Sequence, residues 1–350
     1  MSIKHIFASR KLNQHNDSDA LSCISRNVKK AVCIDRFGYL NKYSKWDIVG
    51  NDKLPKLIKN YSENTFKEIC LARGYEFIQK YKDKKIAVMW SGGLDSTTLI
   101  CSLILNNIDR SRLVILHTKE SVEEYPYFYT YLRTHGYTIF RMGKKTYEQF
   151  LNDPKYYLTS GSCGDELFSN ILYYSHPEQY NLPWKDYART FCSDEAIEQL
   201  DEARWFYNIE PFQLSQNLYF FYNFMSRYST EKLSVGAITG NYKNIINFYD
   251  TQEFQDFAYT RYLITLDNKT IPTNKDYKKE AKLLIYELLK DDDYLYKGKQ
   301  ESRQTIGIWY NTHFTTLIVD DSDTTIYKVA SPEEYDSLVT YLNQYRRSNI

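Results

Sequence analysis

The sequence predicts an α/β protein built on an open parallel sheet, and three observations carry that expectation. Lys85–Trp90 is a short apolar, β-rich run, the pattern of a strand buried on both faces. A glycine turn follows, and then Ser96–Leu105, whose apolar positions suit a buried helix. A second apolar strand, Leu113–His117, arrives within the span of one strand–helix–strand unit. Such alternation implies a doubly wound sheet with helices on both faces, and ligands at the carboxyl ends of its strands.

The other elements follow in chain order. The first eighty residues give weaker signals: a strand-like piece at Lys30–Ile34 and a helix from about Ser62 to Tyr81. Beyond the second strand, a helix is expected near Glu123–His135, stopped by Gly136, and a third strand at Tyr137–Phe140. From about residue 165 the pattern turns helical. Ala196, Ile197, Leu200, Ala203 and Tyr207 fall on one helical face, as do Tyr277, Ala281, Leu284, Ile285 and Leu288. The last fifty residues read as strands at Thr305–Tyr310, Thr315–Val319 and Thr325–Val329, with a closing helix over Pro332–Tyr345.

Composition narrows the function. With 45 basic and 44 acidic side chains the formal net charge is +1, so the chain lacks the basic excess of a dedicated nucleic-acid or membrane-surface binder. The six cysteines are scattered with no Cys-x-x-Cys, and the six histidines show no paired spacing. Neither a zinc site nor a disulfide framework is expected, and a reducing, cytoplasmic setting fits best. No leader opens the chain and no apolar run reaches spanning length, so a soluble protein without a membrane partner is expected.

The strongest signal is Ser91–Ser96, which reads Ser-Gly-Gly-Leu-Asp-Ser between the first strand and its helix. Five such fixed positions coincide by chance about once in 10⁶ starting points. Gly92 and Gly93 allow the backbone to take positive φ and approach a phosphate closely. The helix behind them offers free N–H groups and a partial positive charge to the same anion. Ser91, Ser96 and Thr97 add hydroxyl donors. Bare phosphate would repel Asp95, so its presence implies Mg2+ between the two. There is no Gly-Lys-Ser/Thr, hence no Walker lysine for the terminal phosphates.

This run resembles the pyrophosphatase (PP) loop of the N-type ATP pyrophosphatases, enzymes that split ATP into AMP and pyrophosphate to activate an oxygen of their substrate. Leu158–Phe168, with Ser160, Gly161, Asp165, Glu166, Leu167 and Phe168 in matching places, is similar to the Ser-Gly-Glu-Gly-Ser-Asp-Glu-Leu-Phe stretch of the asparagine synthetase family. Two weaker likenesses follow. Asn247–Asp250 is similar to that family's Pro-Phe-Leu-Asp segment, and Tyr296–Gln300, after a helix at Lys278–Leu289, to its Arg-x-Lys segment.

The resemblance implies a five-stranded sheet of the adenine nucleotide alpha hydrolase type in a synthetase domain spanning residues 81–303. Residues 1–80 are then an extension rather than a complete glutaminase domain, and 304–350 a small α+β segment. It also implies that ATP and Mg2+ are cofactors, with Asp95 and Asp165 as metal ligands. Met89, Ser91, Gly92, Gly93, Asp95, Ser96, Thr97, Leu116, Ser160 and Gly161 contact the nucleotide. Lys299, Asp165, Asp95 and Glu166 are the catalytic residues, with Lys299 stabilising charge on the reacting phosphate. The implied activity is an AMP-forming ligase of the asparagine biosynthesis type, joining a small-molecule carboxylate to ammonia or an amine.

Two departures bear on the chemistry. The family glutamate that handles the incoming amine is replaced by Ser162, whose hydroxyl is no base at neutral pH unaided. Either another residue does that work, with Glu166, His117 and the tyrosines as candidates, or the nucleophile differs. Cys163 falls within the second motif, where it fills a glycine's place. Two other functions stay open: a tRNA- or nucleotide-modifying enzyme of the same loop, and a nucleotide-binding protein that has lost catalysis. The scattered cysteines and neutral charge count against the first, Asp95, Asp165 and Lys299 against the second.

Overall fold

A computed structural model describes residues 3–8, 62–143, 152–168, 182–206, 245–268, 277–297, 316–320 and 326–329, with positions 146, 149, 150 and 337. The chain forms two compact units. One contains residues 55–175 and 241–309, and the other contains residues 1–54, 176–240 and 310–350.

The first unit is an α/β fold around a parallel sheet. Its opening helix, α1 (Phe66–Lys80), starts at a capping box in which Thr65 and Glu68 satisfy each other's backbone N–H groups. Strand β2 (Lys85–Trp90) leads into α2 (Leu94–Leu105), then β3 (Leu113–His117). All five residues of β3, and all but Lys85 of β2, are buried, which is why both read as unbroken apolar runs.

The single helix expected near Glu123–His135 is two: α3 (Lys119–Glu124) and α4 (Pro126–Thr134). Pro126 cannot supply the N–H that would continue α3 and instead opens α4 at its first turn. Strand β4 (Thr138–Arg141) and strand β5 (Tyr156–Ser160) follow. The sheet runs β4-β3-β2-β5, with the three-residue β6 (Ile245–Asn247) joining beside β5, and every pairing is parallel. Neither weak apolar periodicity nor length marks β6 in the sequence; its pairing with β5 makes it a strand.

Strand order reverses between β2 and β5, because β3 and β4 extend the sheet one way and β5 and β6 the other. A crevice opens at such a point outside the carboxyl ends of the strands. Here those ends are Trp90 and Ser160. Around the sheet, α2 packs against α1 and against α8 (Lys279–Leu289), while α7 (Gln252–Asn268) packs against α1 and a one-turn 3-10 helix at Glu166–Phe168. A cluster of rings joins them: Phe66 lies 5.1 Å from Phe168 and 5.4 Å from Phe257, and Phe77 lies 5.6 Å from Phe248. A short helix α9 (Asp292–Tyr296) follows α8.

The second unit holds a three-stranded antiparallel sheet and two helices, α5 (Trp184–Arg189) and α6 (Asp194–Phe206). Strand β1 (Ile3–Ala8) pairs with β7 (Thr316–Asp320), which pairs in turn with β8 (Ile326–Val329). On α6 the expected apolar face holds where it is described: Ala196, Ile197 and Leu200 are buried. The expected strands Lys30–Ile34 and Thr305–Tyr310 and the closing helix lie outside the described residues, apart from one helical position at Ser337. Among the described residues no helix is long and apolar enough to cross a membrane.

Candidate functional site

The site forms where β2 and β5 end side by side. Their register places Met89 against Ser160 on one side and against Leu116 of β3 on the other. Met89 and Leu116 are buried, each one residue short of its strand's carboxyl end.

Past Trp90 the loop is drawn tight by its own hydroxyls. Ser91 N–H donates to Ser96 Oγ at 3.1 Å, and the Ser91 and Ser96 hydroxyls lie 3.0 Å apart. Thr97 is fully buried; it donates to the Gly93 carbonyl at 2.8 Å and accepts from the Trp90 indole at 3.0 Å. Ser96 and Thr97 therefore fasten the start of α2 to the loop and strand before it.

The two glycines divide the work differently from the expectation. Only Gly92 takes positive φ, at 84°. A Cβ there would also meet the Ser121 carbonyl at 2.5 Å, because the Ser121 hydroxyl ties α3 to the Trp90 carbonyl at 2.7 Å. Gly93 is extended, at φ −77° and ψ 168°, and caps α2 with no side chain. A Cβ on Gly93 would meet nothing nearer than Ser91 Oγ at 3.4 Å. Gly93→Ala should therefore leave thermal unfolding near wild type. If a phosphate lies against Gly93, the same variant weakens ATP binding about tenfold or more, the scale of one charge-assisted hydrogen bond. Nucleotide titration of the folded variant checks this, and unchanged affinity would detach Gly93 from the phosphate.

The second motif packs directly on this loop. A Cβ on Gly161 would meet Ser96 N at 2.4 Å, and one on Gly164 would meet Asp95 Cγ at 2.4 Å. Gly164, which the sequence reading passed over, is thus the contact that lets the Asp165 turn close on Asp95. Cys163 takes the left-handed φ of 71° that favours glycine, in keeping with the place it was given. Its sulfur accepts from the Asn247 amide at 3.6 Å. The Ser160 and Ser162 hydroxyls lie 2.6 Å apart, so Ser162 is engaged within the turn.

A third segment completes the site. Tyr249 donates its hydroxyl to the Asp95 carbonyl at 2.8 Å, fixing the first turn of α2. Arg73 of α1 holds the segment carrying it, donating to the Phe248 and Asn247 carbonyls at 3.0 and 3.2 Å. The fourth contribution was unforeseen. Lys278, just before α8, places its ammonium 2.7 and 2.6 Å from the two carboxylate oxygens of Asp95 and 2.5 Å from Asp165 Oδ1. It is 2% exposed. The rings of Tyr277 and Phe168 lie 5.5 and 5.8 Å from its ammonium. The helix expected from Lys278 starts one residue later, because Lys278 itself is left-handed at φ 48° and ψ 41°.

Electrostatics follow from this packing. Burial opposes the Lys278 ammonium, but the Asp165 and Asp95 carboxylates more than offset it, holding its pKa well above the usual lysine value. Burial raises the phenol of Tyr249 well above its usual range, and that of Tyr277 as well. Both therefore stay protonated at neutral pH and serve as donors. Tyr277 lies 3.4 Å from Asp165 Oδ1. His117, at the end of β3, keeps Nδ1 3.0 Å from the Thr118 carbonyl. The Glu166 side chain and Lys299 lie outside the described residues.

Asp95 and Asp165 fit the divalent metal that the resemblance implies. One ammonium already touches both carboxylates, so their oxygens converge on a single cation position, and hard oxygen ligands suit Mg2+. Among the described residues no group of three His, Cys, Asp or Glu is gathered to hold a metal. Two carboxylates leave most of the six positions around Mg2+ to water or phosphate oxygens. Comparison of the chain with models of known protein families finds no match, and comparison with curated proteins finds none either.

Proposed function

We propose that this protein is an ATP-dependent, AMP-forming ligase of the asparagine synthetase type, with a PP-loop fold of the doubly wound, five-stranded kind. The observation that carries the reading is the convergence of Asp95 and Asp165 beside the Ser91–Ser96 loop at the point where strand order reverses. Asp95 and Asp165 would hold Mg2+, which supplies neutralisation of the pyrophosphate charge. The extended backbone at Gly93 leaves open space for a phosphate, and α2 directs its N-terminal N–H groups and dipole toward it. Ser160 and Gly161 border the same crevice.

In this reading the acceptor is a small-molecule carboxylate, or a carbonyl oxygen, that takes AMP before ammonia or an amine displaces it. Lys299 is proposed to stabilise negative charge growing on the α-phosphate. The base is a residue other than Ser162. The scattered cysteines support a cytoplasmic setting.

The Lys278 bridge gives one competing reading its own observation. A diacid already bridged by a lysine also suits a nucleotide-binding protein without turnover. Product analysis decides between the two. Incubation of the protein with Mg2+, ATP and a panel of carboxylates is expected to release AMP and pyrophosphate in the presence of an acceptor. ADP and orthophosphate would sink the ligase reading, and bound but uncleaved ATP across the panel would favour the binding protein.

A further inference from the structure

We propose that Lys278 is a built-in counter-cation that occupies the metal position of the free protein, so that a divalent ion enters only together with a phosphate-bearing ligand. The inference rests on the proposed assignment of Asp95 and Asp165 as metal ligands. It does not require that the protein turn anything over.

Three features of Lys278 point this way. First, its ammonium meets both oxygens of Asp95 and one of Asp165, so it contacts the two carboxylates from the place where a shared cation would bind them. Second, the lysine is 2% exposed and takes a left-handed backbone at φ 48° with no side-chain cap for α8. Burial of a charge and a strained backbone persist where the surroundings over-determine them, a pattern that clusters at ligand clamps and switches. Third, the carboxylates are less enclosed than the lysine between them: the Asp95 side chain is 19% exposed and that of Asp165 38%. The two acids are thus partly open to solvent, while the ammonium between them is covered.

Charge balance supplies the mechanism of exchange. Two carboxylates with one ammonium carry a net formal charge of −1, a weak attraction for a bare divalent ion that must first displace the lysine. A polyphosphate changes that balance. Its oxygens complete the coordination that two carboxylates leave open, and they give the displaced ammonium a new anionic partner. Lys278 thereby couples metal binding to phosphate binding, each favouring the other. Tyr277, whose hydroxyl lies 3.4 Å from Asp165 Oδ1, keeps a donor on that carboxylate when the ammonium leaves.

Protein-bound Mn2+, measured by electron paramagnetic resonance as a spectroscopic stand-in for Mg2+, tests the proposal. Wild-type protein without phosphate ligand is expected to bind Mn2+ at least tenfold more weakly than Lys278→Gln. Lys278→Arg is expected to stay as weak as wild type. Adding inorganic pyrophosphate is expected to bring Mn2+ onto the wild-type protein, with a much smaller gain in Lys278→Gln. Equal Mn2+ affinity of wild type and Lys278→Gln would overturn the proposal, as would failure of either to bind Mn2+ with or without pyrophosphate. Should Lys278→Gln not fold, the wild type alone decides: tight Mn2+ binding without pyrophosphate overturns the idea, and binding only with it supports it. The two readings fail separately. AMP formation with equal Mn2+ affinities keeps the ligase and removes the lysine switch, whereas the expected Mn2+ pattern without AMP formation keeps the switch and removes the ligase.

Discussion

Asp95→Asn and Asp165→Asn are each expected to lower Mg2+-dependent turnover by about 10²–10³-fold, the usual loss when one positioned electrostatic group is removed. Both substitutions keep the side chain's size, so the tight contact of Gly164 with Asp95 survives. Both also leave Lys278 one carboxylate, since the ammonium touches each acid. The single variants should therefore fold. The double variant is different. It strands a lysine that is 2% exposed without a counter-charge, and removing the partners of a buried ion typically costs about 3–5 kcal/mol. Stability loss is thus expected to be small in each single variant and steeply non-additive in the double. Turnover assays with thermal unfolding of all three proteins check this. Near-normal turnover in either single variant would reduce that aspartate to a turn or helix cap.

Gly161→Ala is expected to damage both stability and activity, because the added methyl finds only backbone. Its Cβ would lie 2.4 Å from Ser96 N, 2.8 Å from Asp95 C and 2.9 Å from Ser96 Cα. None of these can rotate away, so the second motif must lift off the glycine loop. Overpacking of this kind costs about 1–3 kcal/mol. The shift separates Asp165 from Asp95, and displacement of about 1 Å at a reacting centre can cost about 10²-fold in rate. Gly143→Ala is the control, since a Cβ there meets nothing within 4 Å. Gly161→Ala with wild-type stability and turnover would mean that the two loops do not close on each other as described.

Much of the parallel-sheet unit was legible in the sequence, and the reasons are local. Lys85–Trp90 and Leu113–His117 begin and end where the apolar runs do, because a strand covered on both faces needs no alternation and its burial is written in consecutive residues. The glycine loop was legible because a close turn between strand and helix restricts residue type position by position. Even there the sequence could not say that Gly92 alone takes positive φ, or that Thr97 turns inward to Trp90. Those outcomes depend on α3 and on the buried indole.

The rest was decided by tertiary structure. Ile3–Ala8 is a strand because the β7–β8 hairpin, three hundred residues on, supplies its hydrogen bonds. Ile245–Asn247 is a strand because β5 has an open edge beside it. Lys278 is the clearest case. By hydropathy it belongs on a solvated helix surface, and the sequence reading gave it no role. Its contacts to Asp95 and Asp165 span 183 and 113 residues of chain. This lysine is buried where two opposite charges are brought to it. That pairing exists nowhere in the local sequence and arises only when β2, β5 and α8 meet at one end of the sheet.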